Sequence, residues 1–161
     1  MTDFSSLLRV LADGHVEYVL VGGAAATVHG SARLTLDVDV IYRRTPENLS
    51  RIVASLAETE PYLRGAPAGL PFRWDVETLQ RGLNFTLITT LGPIDLLGEI
   101  TGAGPYEKVL PDTMVVRAFG VECRCITLEG LIRLKRAAGR IKDLEAIAEL
   151  EALREERDHE R

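Results

Sequence analysis

The chain has 161 residues, 46% of them apolar and 27% charged, with a formal net charge of −5 and a sequence pI near 5.3. That length is enough for one domain with a real core, and the acidic balance argues against a broad basic footprint for duplex nucleic acid without excluding RNA. No leading segment combines a basic start, an apolar stretch and a small-residue cleavage site, and no run approaches the roughly 20 apolar residues of a membrane span, so a cytoplasmic protein with no membrane partner is expected.

Asp3 to Ala12 reads as an opening helix. Val16 to Val21 is rich in β-branched and aromatic residues, as a mostly buried strand requires, and ends at Gly22 and Gly23. Two glycines there let backbone amides approach a ligand closely. Ala24 to His29 then reads as a short helix stopped by Gly30, and a phosphate at its start would meet free N–H groups and the positive end of the dipole. His29 itself reads either as a capping and packing residue or as a nucleotide contact.

Asp37 to Tyr42 reads as a second strand, on which alternation sends Asp37 and Asp39 to one face while Val38 and Val40 enter the core. Two such carboxylates repel unless a cation sits between them, and hard oxygen ligands suit Mg²⁺. Such an ion would neutralise charge that develops in phosphoryl or nucleotidyl transfer. Pro46 to Glu58 follows as a crossover helix, Pro61 to Pro71 as a loop, Phe72 to Glu77 as an edge strand holding the lone tryptophan Trp74, and Leu83 to Thr90 as a strand.

In Gly92 to Leu97 a single acid, Asp95, interrupts an apolar strand-like run, where an ionised group is costly to bury without a partner. Beside the Asp37 strand, Asp95 would complete a three-carboxylate cluster, a ligand set for two metal ions and a general base for an acceptor hydroxyl. At an exposed strand end it would do neither. Gly98 to Pro111 reads as a Gly- and Pro-rich loop able to admit an acceptor.

Met114 to Phe119 and Val121 to Ile126 read as a hairpin about Gly120. Cys123 and Cys125 share one face of its second arm, and with His15, His29 and His159 far away in the chain they show no zinc-ligand spacing, so both read as structural thiols. Thr127 caps a helix running to about Ala138, with Gly139 as its stop. Leu128, Leu131 and Ile132 form its core stripe, and the next member of that stripe is Lys135, which either delivers its ammonium to a cleft or snorkels toward the helix C-terminal dipole. Arg133, Lys135, Arg136, Arg140 and Lys142 read either as a strip contacting an RNA end or as a solvated face. Asp143 reads as the N-cap of a last amphipathic helix carrying Leu144, Ile147, Leu150 and Leu153, and the charged tail Arg154 to Arg161 is expected to fray.

The order Val21, Gly22, Gly23, then Asp37, Val38, Asp39, then Asp95 resembles the DNA polymerase beta-type nucleotidyltransferase superfamily, with its hydrophobic-Gly-[Gly/Ser] turn, Asp-x-Asp/Glu strand and later single carboxylate. The segment His29 to Thr35 leading into Asp37 is most similar to the AbiEii-type toxin nucleotidyltransferases, and the resemblance runs from about Asp3 to Leu153. It implies an α/β (α+β) fold with a mixed β-sheet flanked by helices and with C-terminal helices. It also implies Asp37, Asp39 and Asp95 as catalytic and metal-holding carboxylates for two Mg²⁺ ions, and Gly22 with Gly23 as the triphosphate-cradling turn. Arg33 is similar to an arginine recurring in that branch, whose planar guanidinium would hold a phosphate together with Lys135; a loop arginine paired with Asp37 is the plainer alternative. The segment Lys135 to Leu144 resembles the branch's lysine-then-basic-Asp pattern, except that Lys142 stands where relatives often carry arginine.

The implied reaction moves an NMP from an NTP to a hydroxyl on a tRNA end or a protein side chain, in the setting of a toxin with a cognate antitoxin. A non-catalytic binding or antitoxin-like module and an aminoglycoside-type transferase are the alternatives.

Overall fold

The structure is a computed structural model describing residues 2–160. It opens with helix α1 (Phe4–Asp13), where the Asp3 side chain accepts a hydrogen bond from the Ser6 amide and Leu7, Leu8 and Leu11 form the buried face. Strand β1 (Tyr18–Val21) is buried at every position and runs straight into α2 (Gly22–Val28), so the helix starts at the glycines instead of after them. Strand β2 (Val38–Tyr42) leads to α3 (Pro46–Leu56), which has Thr45 as N-cap, proline at the first position and Leu49, Ile52 and Leu56 turned inward. A single 3-10 turn, Ala57–Thr59, ends that helix short of the sequence expectation.

Asn48 on α3 is fully buried and fully satisfied. Its Oδ1 accepts the Glu17 amide at 2.7 Å, while Nδ2 donates to the Glu17 and Arg43 carbonyls at 3.0 and 2.8 Å. It thereby ties the start of β1 to the end of β2 with a group that would be costly to bury alone.

The next segments depart from the sequence reading. Pro61 to Pro71 is not all loop, because Tyr62–Leu63 form a short strand, β3, along the sheet edge. Phe72 to Glu77 is not an edge strand. Residues 72–75 are irregular, Asp75 accepts the Thr78 amide at 2.8 Å, and that cap starts helix α4 (Val76–Arg81). Trp74 lies instead over α3, with Nε1 donating to the Val53 carbonyl at 3.0 Å, so its aromatic bulk signals burial against a helix. Strand β4 (Asn84–Thr89) alternates strictly, with Phe85, Leu87 and Thr89 inward, and β5 (Gly92–Leu97) follows as a hairpin partner.

Gly98 to Pro111 carries a small two-stranded ladder, β6 (Glu99–Ile100) with β7 (Gly104–Pro105), then the short helix α5 (Tyr106–Val109). Hairpin β8 (Thr113–Ala118) and β9 (Val121–Ile126) turns at Gly120 as expected. Helix α6 (Leu128–Ala138) is capped by Thr127 and stopped by Gly139 at φ +64°. Helix α7 spans Ile141–His159, so the charged tail is helical as far as His159, Arg161 lying outside the described residues, and Arg157 pairs with Glu129 on α6. Leu150 is its buried anchor, whereas Leu144 is exposed, which narrows the expected apolar stripe.

Seven strands form a mixed sheet in the order β3-β4-β5-β2-β1-β9-β8. β2 lies antiparallel to β1 and parallel to β5, and β1 lies parallel to β9. This is the expected mixed α/β architecture, and its core is continuous from Leu7 on α1 through β1, β2 and β5 to Leu131 on α6.

Candidate active site

Registry across three central strands assembles the site. Val21 pairs with Asp39 and Asp39 with Asp95, so the end of β1 and the two acids occupy one row of the sheet. Asp37 sits immediately before β2. Each of Asp37, Asp39 and Asp95 offers a carboxylate oxygen, and these oxygens lie within 4.8 Å of one another. Asp95 is therefore beside the acidic strand and not at a solvated strand end.

The glycines make room for this cluster. Gly22 has φ +65°, and a Cβ there would stand 2.2 Å from Asp39 Oδ2. A Cβ on Gly23 would lie 2.5 Å from Thr35 Oγ1, and the Thr35 hydroxyl in turn donates to the Asp37 carbonyl at 3.3 Å. The Gly-Gly turn thus admits the acidic strand closely, a role for backbone approach that only an unsubstituted Cα allows.

Burial, reinforced by the facing Asp95 and Asp37 carboxylates and opposed by the Lys135 ammonium, pushes the Asp39 carboxyl up to about 7. Its Oδ1 is buried and has no hydrogen-bond partner. An orphaned carboxylate oxygen is expensive in a protein interior, and three hard oxygen donors converging around it form a set that a divalent cation satisfies. The residues present fit such an ion.

Two cavities meet at Asp39. One, of about 410 Å³, is lined by Val21, Asn84, Leu97, Glu99, Leu131 and Leu134; the other, of about 470 Å³, by Arg33, Thr35, Asp95, Lys142 and Glu149. Gly22, Asp39, Lys135 and Arg140 line both. Lys135 thus lines the cleft from α6, with its Nζ 3.7 Å from the Asp143 carboxylate.

The surrounding charges differ in part from expectation. Arg33 reaches Glu145 and Glu149 on α7, each at 3.7 Å, and not Asp37. Asp143 is nearly completely buried and is the third helical residue of α7 instead of its N-cap. Arg140 holds the cap position, its backbone amide donates back to Asp143 at 3.3 Å, and its Nε donates to the same carboxylate at 2.8 Å. With Lys135 Nζ at 3.7 Å as well, the cations beside Asp143 hold its carboxyl below the usual carboxylate range. The basic strip does not form one face, because Arg133 pairs with Asp112 and Arg136 with Glu151, leaving Lys135, Arg140 and Lys142 at the cleft.

His29 places Nε2 2.7 Å from the Ile126 carbonyl, a packing role that ties α2 to the end of β9. Cys123 and Cys125 are buried and unpaired, and burial raises both thiols, Cys125 to about 12, which keeps them inert. The residue that sequence reasoning missed is Arg64, whose guanidinium reaches Asp95 Oδ1 at 2.8 Å and Asp37 Oδ2 at 3.5 Å. It lies in a Gly- and Pro-rich stretch with no pattern to distinguish it from a surface arginine.

Among solved structures, the chain is similar to TM1012 of Thermotoga maritima, a provisionally named nucleotidyltransferase, with a TM-score of 0.55 over 92% of this chain and 94% of that one. The chain has a nucleotidyltransferase fold. Identity over that match is 16%, so the likeness is one of architecture. No family model matches the sequence, and no curated protein does. No described helix is long and apolar enough to cross a membrane.

Proposed function

We propose that the chain is a Mg²⁺-dependent nucleotidyltransferase that moves an NMP from an NTP, ATP included, to a hydroxyl acceptor. The observation that carries this reading is the convergence of Asp37, Asp39 and Asp95 within 4.8 Å on adjacent strands of a nucleotidyltransferase fold. Asp37, Asp39 and Asp95 would hold the divalent cations, which supply charge neutralisation at the reacting phosphate.

The chain's own groups account for the remaining steps. Gly22 and Gly23 leave backbone room beside the acids, and Arg33, Lys135 and Arg140 bring positive charge to the cleft where the triphosphate binds. Asp95 takes the proton from the acceptor hydroxyl as its oxygen bonds to the α-phosphorus. The bond from that phosphorus to the bridging oxygen breaks in line, and pyrophosphate leaves with its electron pair.

For the acceptor we favour a tRNA end or a protein side chain, and for the setting a toxin of the AbiEii type with a cognate antitoxin. Support comes from the His29 to Asp37 segment, which resembles that branch, and from Lys135 and Arg140 lining a cleft in an otherwise acidic chain. A cytoplasmic location accords with both acceptors.

The test is incubation of the purified protein with Mg²⁺, each α-labelled NTP and either total tRNA or cell lysate, beside an Asp37→Asn, Asp39→Asn double variant. Label transferred by the unmutated chain alone supports the reading and identifies nucleotide and acceptor class. Equal labelling by both proteins, or none by either, sinks it, and tight capture of a co-encoded protein without nucleotide would favour a binding module.

A further inference from the structure

Arg64 stands just past β3 with its backbone amide donating to the Thr86 carbonyl at 3.0 Å, so its main chain is tied to β4. From that anchor its side chain crosses β4 toward the acidic row. Nε and Nη2 donate to the Leu87 carbonyl at 3.2 and 2.7 Å, Nη2 also donates to Asp95 Oδ1 at 2.8 Å, and Nη1 approaches Asp37 Oδ2 at 3.5 Å. One guanidinium therefore bridges two of the three convergent carboxylates and leaves Asp39 Oδ1 without a partner.

A guanidinium and a divalent cation between the same two carboxylates answer one electrostatic need, positive charge between oxygens that otherwise repel. Both cannot hold both carboxylates at full strength, because a guanidinium and a divalent ion sharing one anion repel each other. The contacts are unequal. The Leu87 carbonyl and the 2.8 Å contact fix the guanidinium on the Asp95 side, whereas the 3.5 Å contact reaches Asp37, which precedes its strand and has a side chain 40% exposed.

We propose that Arg64 is the internal counter-cation of the acidic triad: it holds Asp37 and Asp95 convergent in the metal-free protein, gives up Asp37 when a divalent cation binds, and so sets the protein's cation affinity. The proposal rests on the reading of the triad as a divalent-cation site. Arg64 is a positioning residue under it, acting through two carboxylates.

The test needs no turnover. Binding of Mn²⁺ alone is measured by the electron paramagnetic resonance of the free ion for the wild type, Arg64→Gln and Arg64→Lys. In parallel, the wild-type arginine Nε–H resonances are followed as Mg²⁺ alone is added, that of Arg64 being the one missing from Arg64→Lys. Removing the competing charge in Arg64→Gln is expected to tighten Mn²⁺ binding on the order of tenfold or more, while Arg64→Lys, which keeps the charge, stays near the wild type. The Arg64 resonance is expected to move with Mg²⁺.

Unchanged or weaker Mn²⁺ binding in Arg64→Gln overturns the proposal and leaves the cation site standing. A stationary Arg64 resonance does the same and decides the matter even where Arg64→Gln does not fold. No Mn²⁺ bound by any of the three proteins removes the cation site and the proposal with it.

Discussion

Gly22 and Asp39 are packed so closely that a methyl group on the first would overlap the carboxylate of the second, with an ideal Cβ 2.2 Å from Oδ2 and 2.9 Å from Cγ. Gly22→Ala must therefore push Asp39 out of the acidic row and also place an L-residue at φ +65°. The backbone strain alone costs about 1–2 kcal/mol. Chemical denaturation should show that loss, and Mn²⁺ titration should show weakened binding. A variant that is destabilised yet binds Mn²⁺ as tightly as the wild type would mean that Asp39 is not a ligand.

Asp39→Asn should separate activity from stability. The substitution removes a carboxylate that burial and two acidic neighbours already disfavour, so the metal-free variant should be at least as stable as the wild type. Nucleotidyl transfer should fall well over about a hundredfold, beyond the loss caused by mutating the outer partner of a metal ligand. Full activity in this variant would remove the metal assignment.

The raised Asp39 carboxyl sets a pH dependence of defined sign. Between the ordinary value of 3.8 and about 7 the folded protein holds a proton that the unfolded chain releases. Stability of the metal-free protein should accordingly be greatest below pH 4 as far as Asp39 is concerned, decline as pH rises to about 7, and level off above it. The depressed carboxyls of Asp3, Asp75 and Asp143 act in the opposite sense and below that window, and that of Glu129 acts likewise, beginning from its ordinary value of 4.5. Denaturation in chelator at several pH values, taken as the difference between wild type and Asp39→Asn, isolates the effect; a flat difference would contradict it.

Asp143 holds Arg140 by a 2.8 Å bond and stands 3.7 Å from Lys135 Nζ, and those two cations line both cavities. Asp143→Ala should let both side chains wander. The KM for NTP should then rise on the order of tenfold, the worth of one charge-assisted contact, with kcat less affected. A lower kcat at unchanged KM would place Asp143's influence on the chemical step instead.

Leu20 is fully buried and lies opposite Val40 on β2 and Cys125 on β9, at the junction of the antiparallel and parallel parts of the sheet. Leu20→Ala should cost about 2–5 kcal/mol by cavity formation. A denaturation midpoint close to the wild type's would show that the junction collapses around the smaller side chain.

The local alphabet of the chain was legible without coordinates wherever a residue acts on its own neighbours. Thr127 and Gly139 bracket α6 because a hydroxyl caps the amide three residues on and a glycine accepts the left-handed stop. The Asp37, Val38, Asp39 triplet sets two acids two residues apart at the start of β2, where their carboxylates converge. Local patterns failed where polar and aromatic residues serve distant partners. Trp74 suggested a strand and instead covers α3.

The sequence by itself determined the elements that carry the three acids and the glycines beside them, since 2.0- and 3.6-residue periodicities and glycine punctuation are properties of a chain segment. Only the tertiary structure decided that β5 lies parallel beside β2, which brings Asp95 level with Asp39 across 55 intervening residues of chain. It alone turned Arg33 toward α7 and threaded Arg64 across β4 to the triad. Long cationic side chains find their partners through the packing of whole strands, and no spacing along the chain encodes that reach.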